Sequence, residues 1–228
     1  AFKFHSEGNL SEAIKYYQLF INQGFKDHLV FSNYGIIVKN LGKLQKAELL
    51  QRKAIEINPD FAEAHSNLGN ILIDRGKLQE AELSTRKAIE INTNFADAHL
   101  NLGIILKELG KLQEAELSTR KAIEINANFA QAHSNLGIIL IELGKLQEAE
   151  LSTRKAIELH PNCSEEYSNL GSILLQKEES DLSLKYFSKS AELLRGQKIQ
   201  EPNHTRYTTI SKAKIDHDIE QFEYLASQ

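Results

Sequence analysis

One asparagine recurs at every thirty-fourth position of this 228-residue chain, at Asn33, Asn67, Asn101, Asn135 and Asn169. Asparagine is unfavourable inside helices because its side chain competes for backbone hydrogen bonds. Its amide carries two N–H donors and one carbonyl acceptor, which match the C=O and N–H groups of an extended peptide backbone. A row of such amides is therefore expected to hold a peptide. The alternative is that the amides fix helix–helix packing, or persist from recent duplication of the repeats.

Histidine recurs with the same period, at His65, His99 and His133. Stacked helices lie about 8–10 Å apart, whereas zinc requires its ligands at about 2 Å. The three histidines therefore cannot share one ion, and we expect them to pack against neighbouring helices.

Other residue patterns with known chemistry do not point to an enzyme. Cys163 is the only cysteine, so no intrachain disulfide can form, and we expect it to act as a small buried apolar residue. The sequence holds no Gly-rich phosphate loop, no HExxH motif and no nucleophile elbow. It therefore predicts no catalytic site, no metal site and no cofactor.

These residues belong to a unit that is repeated along the chain. The stretch Ala62–Phe95 is repeated by Ala96–Phe129 with seven changes, and again by Ala130–Cys163. A fixed period of about 20–50 residues indicates a solenoid or array. The predicted organisation is a truncated unit at 1–27, full units at 28–61, 62–95, 96–129 and 130–163, a degenerate unit at 164–197, a loop at 198–210 and a helix at 211–228. Because the chain begins within a first helix, we interpret it as a fragment of a longer protein.

Each unit contains two helical patterns joined by short turns. Counting Ala62 as position 1, the first helix carries one apolar stripe, at His65, Leu68, Gly69 and Leu72. The second helix has its predicted apolar surface at Leu78, Ala81, Leu83, Ala88, Ile89 and Ile91. Glycine inside a helix costs about 1 kcal/mol relative to alanine, so Gly69 indicates close helix approach. Gly76 ends the first helix, and Asn58-Pro59 and His160-Pro161 break the second.

The residues at positions 4, 7, 8, 11, 20, 24, 27 and 32 resemble the tetratricopeptide repeat pattern over nearly the whole chain. The match is strong at Leu68, Gly69, Ala81, Ala88 and Pro59. Two positions differ from the family pattern, which has an aromatic residue at each. Position 4 is histidine in the three central units, and position 24 is threonine, at Thr85, Thr119 and Thr153. The resemblance implies an all-α, right-handed superhelical solenoid whose first helices line a concave groove. The asparagine row is similar to the one in the tetratricopeptide superhelix of O-linked N-acetylglucosamine transferases, where it holds substrate chains.

The family's groove would be lined by positions 2, 5, 6, 9, 12 and 13 of each first helix. Besides the five asparagines, the predicted peptide-binding residues are Ile73, Ile104, Ile138 and Ile141. Acidic residues flank them, at Glu63, Asp97, Glu165, Asp74, Glu108 and Glu142. This mixture favours an extended or helical segment with apolar and basic character. It disfavours the acidic tails that other tetratricopeptide domains clamp with Lys and Arg.

The C-terminal part departs from the pattern after Ser164. Residues 211–228 carry an apolar stripe, at Ile215, Ile219, Phe222, Leu225 and Ala226. We expect this helix to cap the last repeat, or else to lead into a further domain.

Composition restricts the partners. A net charge of −4 argues against nucleic acid or an anionic membrane as the main target, and no apolar run is long enough to span a membrane. We expect a cytoplasmic protein- or peptide-binding module that is monomeric or weakly self-associating. Two alternatives remain: the substrate-recruiting arm of a larger transferase or hydroxylase, and a scaffold that associates through its ends.

Overall fold

The computed structural model describes residues 1–196, and every regular element in that range is an α-helix. The chain divides into two compact units, one formed by Ala1–Asn101 and the other starting at Leu102. The prediction of an all-α fold made of tandem helix pairs is confirmed. Among these residues, no helix is long and apolar enough to cross a membrane.

In the described residues, the first compact unit contains six complete helices and the start of a seventh. Their bounds are α1 Phe2–Ser6, α2 Leu10–Asn22, α3 His28–Asn40, α4 Leu44–Ile57, α5 Ala62–Asp74, α6 Leu78–Ile91 and α7 Ala96–Glu108. Helix α3 packs on α4, α4 on α5, and α5 on α6. The largest fully buried side chains of this unit include Tyr17, Ile37, Ile71 and Leu72.

The second compact unit, as far as residue 196, contains the rest of α7 and five further helices, α8 Leu112–Ile125, α9 Ala130–Glu142, α10 Leu146–Leu159, α11 Ser164–Gln176 and α12 Ser180–Gly196. Within this unit α8 packs on α9, α9 on α10, α10 on α11, and α11 on α12. Its core includes Leu106, Leu140, Leu170 and Ile173, all fully buried.

Glycine ends most of the first helices. Gly76 has φ +72°, in the left-handed region that a glycine enters without steric cost. Its N–H bonds to the carbonyl of Ile73, and the next N–H, that of Lys77, bonds to Leu72. The chain thereby reverses and enters α6. The equivalent residue of the last repeat is Glu178, which takes φ +64° without being glycine.

The two helices of a repeat approach closely at position 8. A Cβ atom added to Gly69 would lie 2.2 Å from the Oγ1 atom of Thr85, and one added to Gly103 would lie 2.2 Å from Oγ1 of Thr119. Such distances are far inside van der Waals contact. The close approach predicted from Gly69 is confirmed.

One predicted apolar position of the second helix proved wrong. Leu83 was expected on the apolar surface, but its side chain is 72% exposed. The equivalent leucines of the other central repeats, Leu49, Leu117 and Leu151, are similarly exposed. Helix α6 buries its small residues Ala81 and Ala88 instead, so its covered face is rotated away from Leu83. The helix predicted at 211–228 lies outside the described residues.

Candidate functional site

The asparagine row lies on the first helices, and in the first compact unit it connects successive repeats. The Nδ2 atom of Asn67 donates to the Ser32 hydroxyl over a long 3.5 Å. Asn101 makes the same contact with Ser66 at 3.2 Å. Each serine occupies position 5 of the preceding repeat. These amides therefore contribute to helix–helix packing, which was the alternative considered for them.

The second compact unit shows two variations of this contact. Asn135 donates to the backbone carbonyl of Gln131 at 2.9 Å, within its own helix. The repeat before it has Leu100 at position 5, a residue without a side-chain acceptor. Asn169 hydrogen-bonds to the carboxylate of Glu166, which Ser134 also contacts. In this unit each amide therefore bonds within its own repeat rather than to a serine at position 5 of the preceding repeat.

Burial differs along the row. Asn101 and Asn135 are 7% and 5% exposed, whereas Asn33, Asn67 and Asn169 are half-buried. A ligand on this face would therefore meet the half-buried amides over a larger surface than the two buried ones.

The predicted flanking isoleucines also differ in exposure. Ile73 is 2% exposed, which leaves little of its surface for a ligand. Ile104, Ile138 and Ile141 are half-buried and belong to the second compact unit. Within the first unit, the acidic character near Ile73 is partly neutralised, because the Lys39 ammonium lies 3.5 Å from a carboxylate oxygen of Asp74.

Glu166 is a polar feature that the sequence interpretation missed. It lies 6% exposed at position 3 of its repeat, where three other repeats have the fully buried alanines Ala64, Ala98 and Ala132. Its Oε2 atom has no hydrogen-bond partner among the described residues. Burial raises the pKa of Glu166 above its ordinary value, although the hydrogen bond from Ser134 opposes this effect. A charged residue at a position that holds alanine or valine in the other repeats was the signal that could have revealed it.

The three recurring histidines contact the turns that precede their own helices. A ring nitrogen of His65 lies 2.9 Å from the carbonyl of Pro59, and His99 and His133 make the same contact with the turn before their helices. Within residues 1–196, no three His, Cys, Asp or Glu side chains are placed to hold a metal ion.

Cys163 is half-buried between α10 and α11, at the N-cap position of α11. Burial raises the pKa of its thiol above the ordinary value. The protonated form, which is a poor nucleophile and a poor metal ligand, is therefore favoured at neutral pH.

Buried or half-buried carboxylates connect the repeats on the side of the second helices. Glu48 pairs with Arg52 on its own helix and with Arg75 and Lys77 of the next repeat. Glu150 makes the equivalent contacts with Arg154 and Lys177. The hydrogen bond from Lys177 lowers the pKa of Glu150, and burial opposes it. These pairs link adjacent helix hairpins electrostatically.

An all-α chain of helix pairs with a thirty-four-residue period is a helical repeat protein. Sequence profiles described as TPR repeat or Tetratricopeptide repeat match residues 30–61, 50–82, 69–110, 96–129 and 130–163. Together they cover residues 30–163, which is more than half of the chain. The chain belongs to the tetratricopeptide repeat family. No curated protein matches it.

Solved structures of tetratricopeptide proteins share the fold. YrrB, described as a TPR protein with an unusual peptide-binding site, aligns with a TM-score of 0.61 and 23% identity, over 78% of this chain and 91% of its own. PilF of Pseudomonas aeruginosa aligns with a TM-score of 0.67 and 19% identity, over 86% and 89%. A thermophilic TPR protein of Thermus thermophilus aligns with a TM-score of 0.65 and 18% identity, over 89% and 100%. At these identities the likeness shows the fold alone.

Proposed function

We propose that this chain is a protein-interaction module that holds an extended peptide segment along its first helices through the recurring asparagine amides. The observation that carries the proposal is that Asn33 and Asn169 persist at position 6, although their repeats differ widely from the central ones. Recent duplication explains the agreement among the three central asparagines, but not these two. The peptide-binding site described for YrrB adds a precedent within the same fold.

The chemistry of the amides is compatible with a role in both packing and binding. The bond from Asn67 to Ser32, or from Asn101 to Ser66, uses one N–H. An amide group has a second N–H and a carbonyl oxygen, and these are the groups that a peptide backbone would engage. The serine contact would then orient the amide, which reduces the ordering cost of binding.

Side chains around the amides would select the ligand. Ile104, Ile138 and Ile141 are half-buried and offer apolar surface, and Glu63 and Asp97 are exposed acidic residues in the first turns of their helices. We infer a ligand with apolar side chains and some positive charge.

The test begins with selection of binders from a random peptide library on the immobilised chain, followed by fluorescence titration of the selected peptides. The binding variant carries Asn67→Ala and Asn101→Ala. The matched control carries Ser32→Ala and Ser66→Ala, which removes the packing partners of the same two amides but keeps the amides. If two hydrogen bonds of about 1 kcal/mol each are lost, affinity should fall by about tenfold or more in the binding variant.

The control separates binding from packing. We expect the serine variant to lose stability and to lose less affinity than the asparagine variant, because its amides remain but are no longer oriented by the serines. Thermal unfolding followed by circular dichroism monitors the stability of both proteins. Equal affinity of the wild type and the asparagine variant would overturn the proposal. Equal losses in both variants would assign the amides to packing alone.

A further inference from the structure

Each compact unit contains a cavity on the side of the second helices, away from the asparagine row. In the first unit it has a volume of about 490 Å³ and lies between α4, α5 and α6, with Ile55, Leu68 and Leu72 among its apolar lining residues. In the second unit it has a volume of about 430 Å³ and is lined by the equivalent Ile123, Leu136 and Leu140. We call these two spaces the hairpin cavities. Their first-helix residues occupy positions 4, 7 and 11, whereas the asparagines occupy position 6.

The last repeat shows what fills this space elsewhere in the chain. Positions 4 and 23 bear His65 and Ser84 at the first cavity, and both line it. In the last repeat the same positions hold Tyr167 and Tyr186, whose rings stack with their centroids 6.3 Å apart. The hairpin cavities are thus the space that remains when two aromatic side chains are replaced by histidine and serine.

An arginine covers the aromatic residues in that filled repeat. The guanidinium carbon of Arg154 lies 5.5 Å from the ring centroid of Tyr186, and its Nη1 atom donates to the Tyr186 hydroxyl at 2.8 Å. Arg154 does this while paired with Glu150. The equivalent Arg52 and Arg120 line the two hairpin cavities and pair with Glu48 and Glu116. Each also pairs with a second carboxylate that lines its cavity, Glu80 for Arg52 and Glu148 for Arg120.

We propose that the hairpin cavities bind aromatic side chains of a partner protein, one ring in each cavity, with Arg52 or Arg120 against the ring. The positive guanidinium complements the negative face of an aromatic ring. The hydroxyl contact of Arg154 with Tyr186 indicates that a phenol ring meets both the cation and its N–H donors.

The surface beside each cavity indicates a macromolecular source for the ring. Leu83 and Leu151 line the cavities, yet their side chains are 72% and 69% exposed. Large exposed apolar residues next to a cavity with a charged rim are typical of protein-interaction sites. The ring would fill the cavity while the backbone that bears it covers the adjacent leucine.

The experiment uses methyl-resolved NMR of the full chain with N-acetyl-tyrosinamide as the probe. We expect saturable, ring-current-type shifts at Ile55 and Leu83 in one cavity and at Ile123 and Leu151 in the other. N-acetyl-leucinamide should give markedly weaker shifts, because it lacks the ring.

The two cavities serve as each other's control. The variant His65→Tyr with Ser84→Tyr introduces the residues that fill the last repeat. It should abolish the shifts at Ile55 and Leu83 and leave those at Ile123 and Leu151 intact. If this variant misfolds, Arg52→Gln replaces it, and the affinity of the first cavity alone should fall about two- to fivefold.

Further arms of the experiment examine the source of the ring. A random peptide library is selected on the wild type and depleted on a variant that adds His133→Tyr and Ser152→Tyr to the first two substitutions, so that both cavities are filled. The selected peptides should be enriched in Phe, Tyr or Trp. Enrichment without aromatic residues would overturn the proposal, as would equal shifts from N-acetyl-leucinamide or shifts that survive filling. Shifts that depend on protein concentration without any probe would assign the cavities to self-association instead.

Discussion

Replacing Glu166 by alanine should make the stability of the protein less dependent on pH. Glu166 is 6% exposed, and one of its oxygens has no partner among the described residues. Its folded pKa is raised, chiefly by burial. Alanine is the residue that the chain itself places at this position in Ala64, Ala98 and Ala132, so the backbone accommodates the substitution.

The direction in which stability changes with pH follows from proton linkage. A carboxyl whose folded pKa exceeds its unfolded value binds more protons in the folded state over the interval between the two values. Stability is therefore retained below the unfolded value of 4.5 and falls as the pH rises through the folded pKa of Glu166. The hydrogen bonds from Ser134 and Asn169 lower that pKa, but burial outweighs them and the pKa is raised.

Two contributions of different origin set the magnitude. Removing one buried methylene group costs about 0.8 kcal/mol at every pH. Removing an incompletely paired buried carboxylate gains about 1–3 kcal/mol, but only where the group is ionised in both states. The alanine variant should thus be less stable than the wild type in acid, and equal or more stable at neutral pH.

The assay is urea unfolding followed by circular dichroism across a pH series from about 4 to 7.5. Glu63→Ala is the matched control, because Glu63 is an exposed carboxylate in the first turn of the equivalent helix α5. It measures what the loss of an exposed carboxylate contributes at each pH. A constant difference between Glu166→Ala and the wild type would refute the reasoning, as would a difference that favours the wild type increasingly at high pH.

Three further predictions test packing and burial. Gly69→Ala should lower the free energy of unfolding in urea by about 1–3 kcal/mol, because the steric cost against Thr85 exceeds the gain of about 1 kcal/mol in helix propensity. Adding Thr85→Ala should restore part of this loss. Glu48→Gln should cost about 1–2 kcal/mol, since Glu48 is nearly buried among its cations, whereas Glu56→Gln, at an exposed residue paired with one lysine, should leave the melting temperature unchanged. Alkylation of Cys163 at neutral pH should be slower in the native protein than in urea, because burial raises its thiol pKa; equal rates would contradict that burial.

Much of the local structure could be predicted from the repeated sequence. Pro59 forbids the continuation of a helix, and α4 ends at Ile57. Gly76 takes the left-handed conformation that separates α5 from α6. Gly69 indicated a close helix crossing, and the crossing occurs there. These features were predictable because each depends on a property of one residue type: the ring of proline, the left-handed conformation open to glycine, and the absence of a Cβ atom in glycine.

The faces of the helices were harder to assign. Leu83 fits an apolar pattern within its own helix but remains exposed, because periodicity shows which residues share a face and not which face another helix covers. The partners of the asparagines were also hidden, since Ser32 is thirty-five residues from Asn67 and becomes its neighbour only when two first helices pack.

The sequence by itself determined the period, the two helices of each repeat, the turns between them and the family. These follow from backbone conformation and from identity between the repeats. The tertiary structure alone decided that Glu166 is buried without full pairing. It also decided that His65 and Ser84 border an open cavity, whereas Tyr167 and Tyr186 stack on each other at the equivalent positions. Burial and empty volume are sums over side chains that several helices bring together, so they are determined only when those helices have packed.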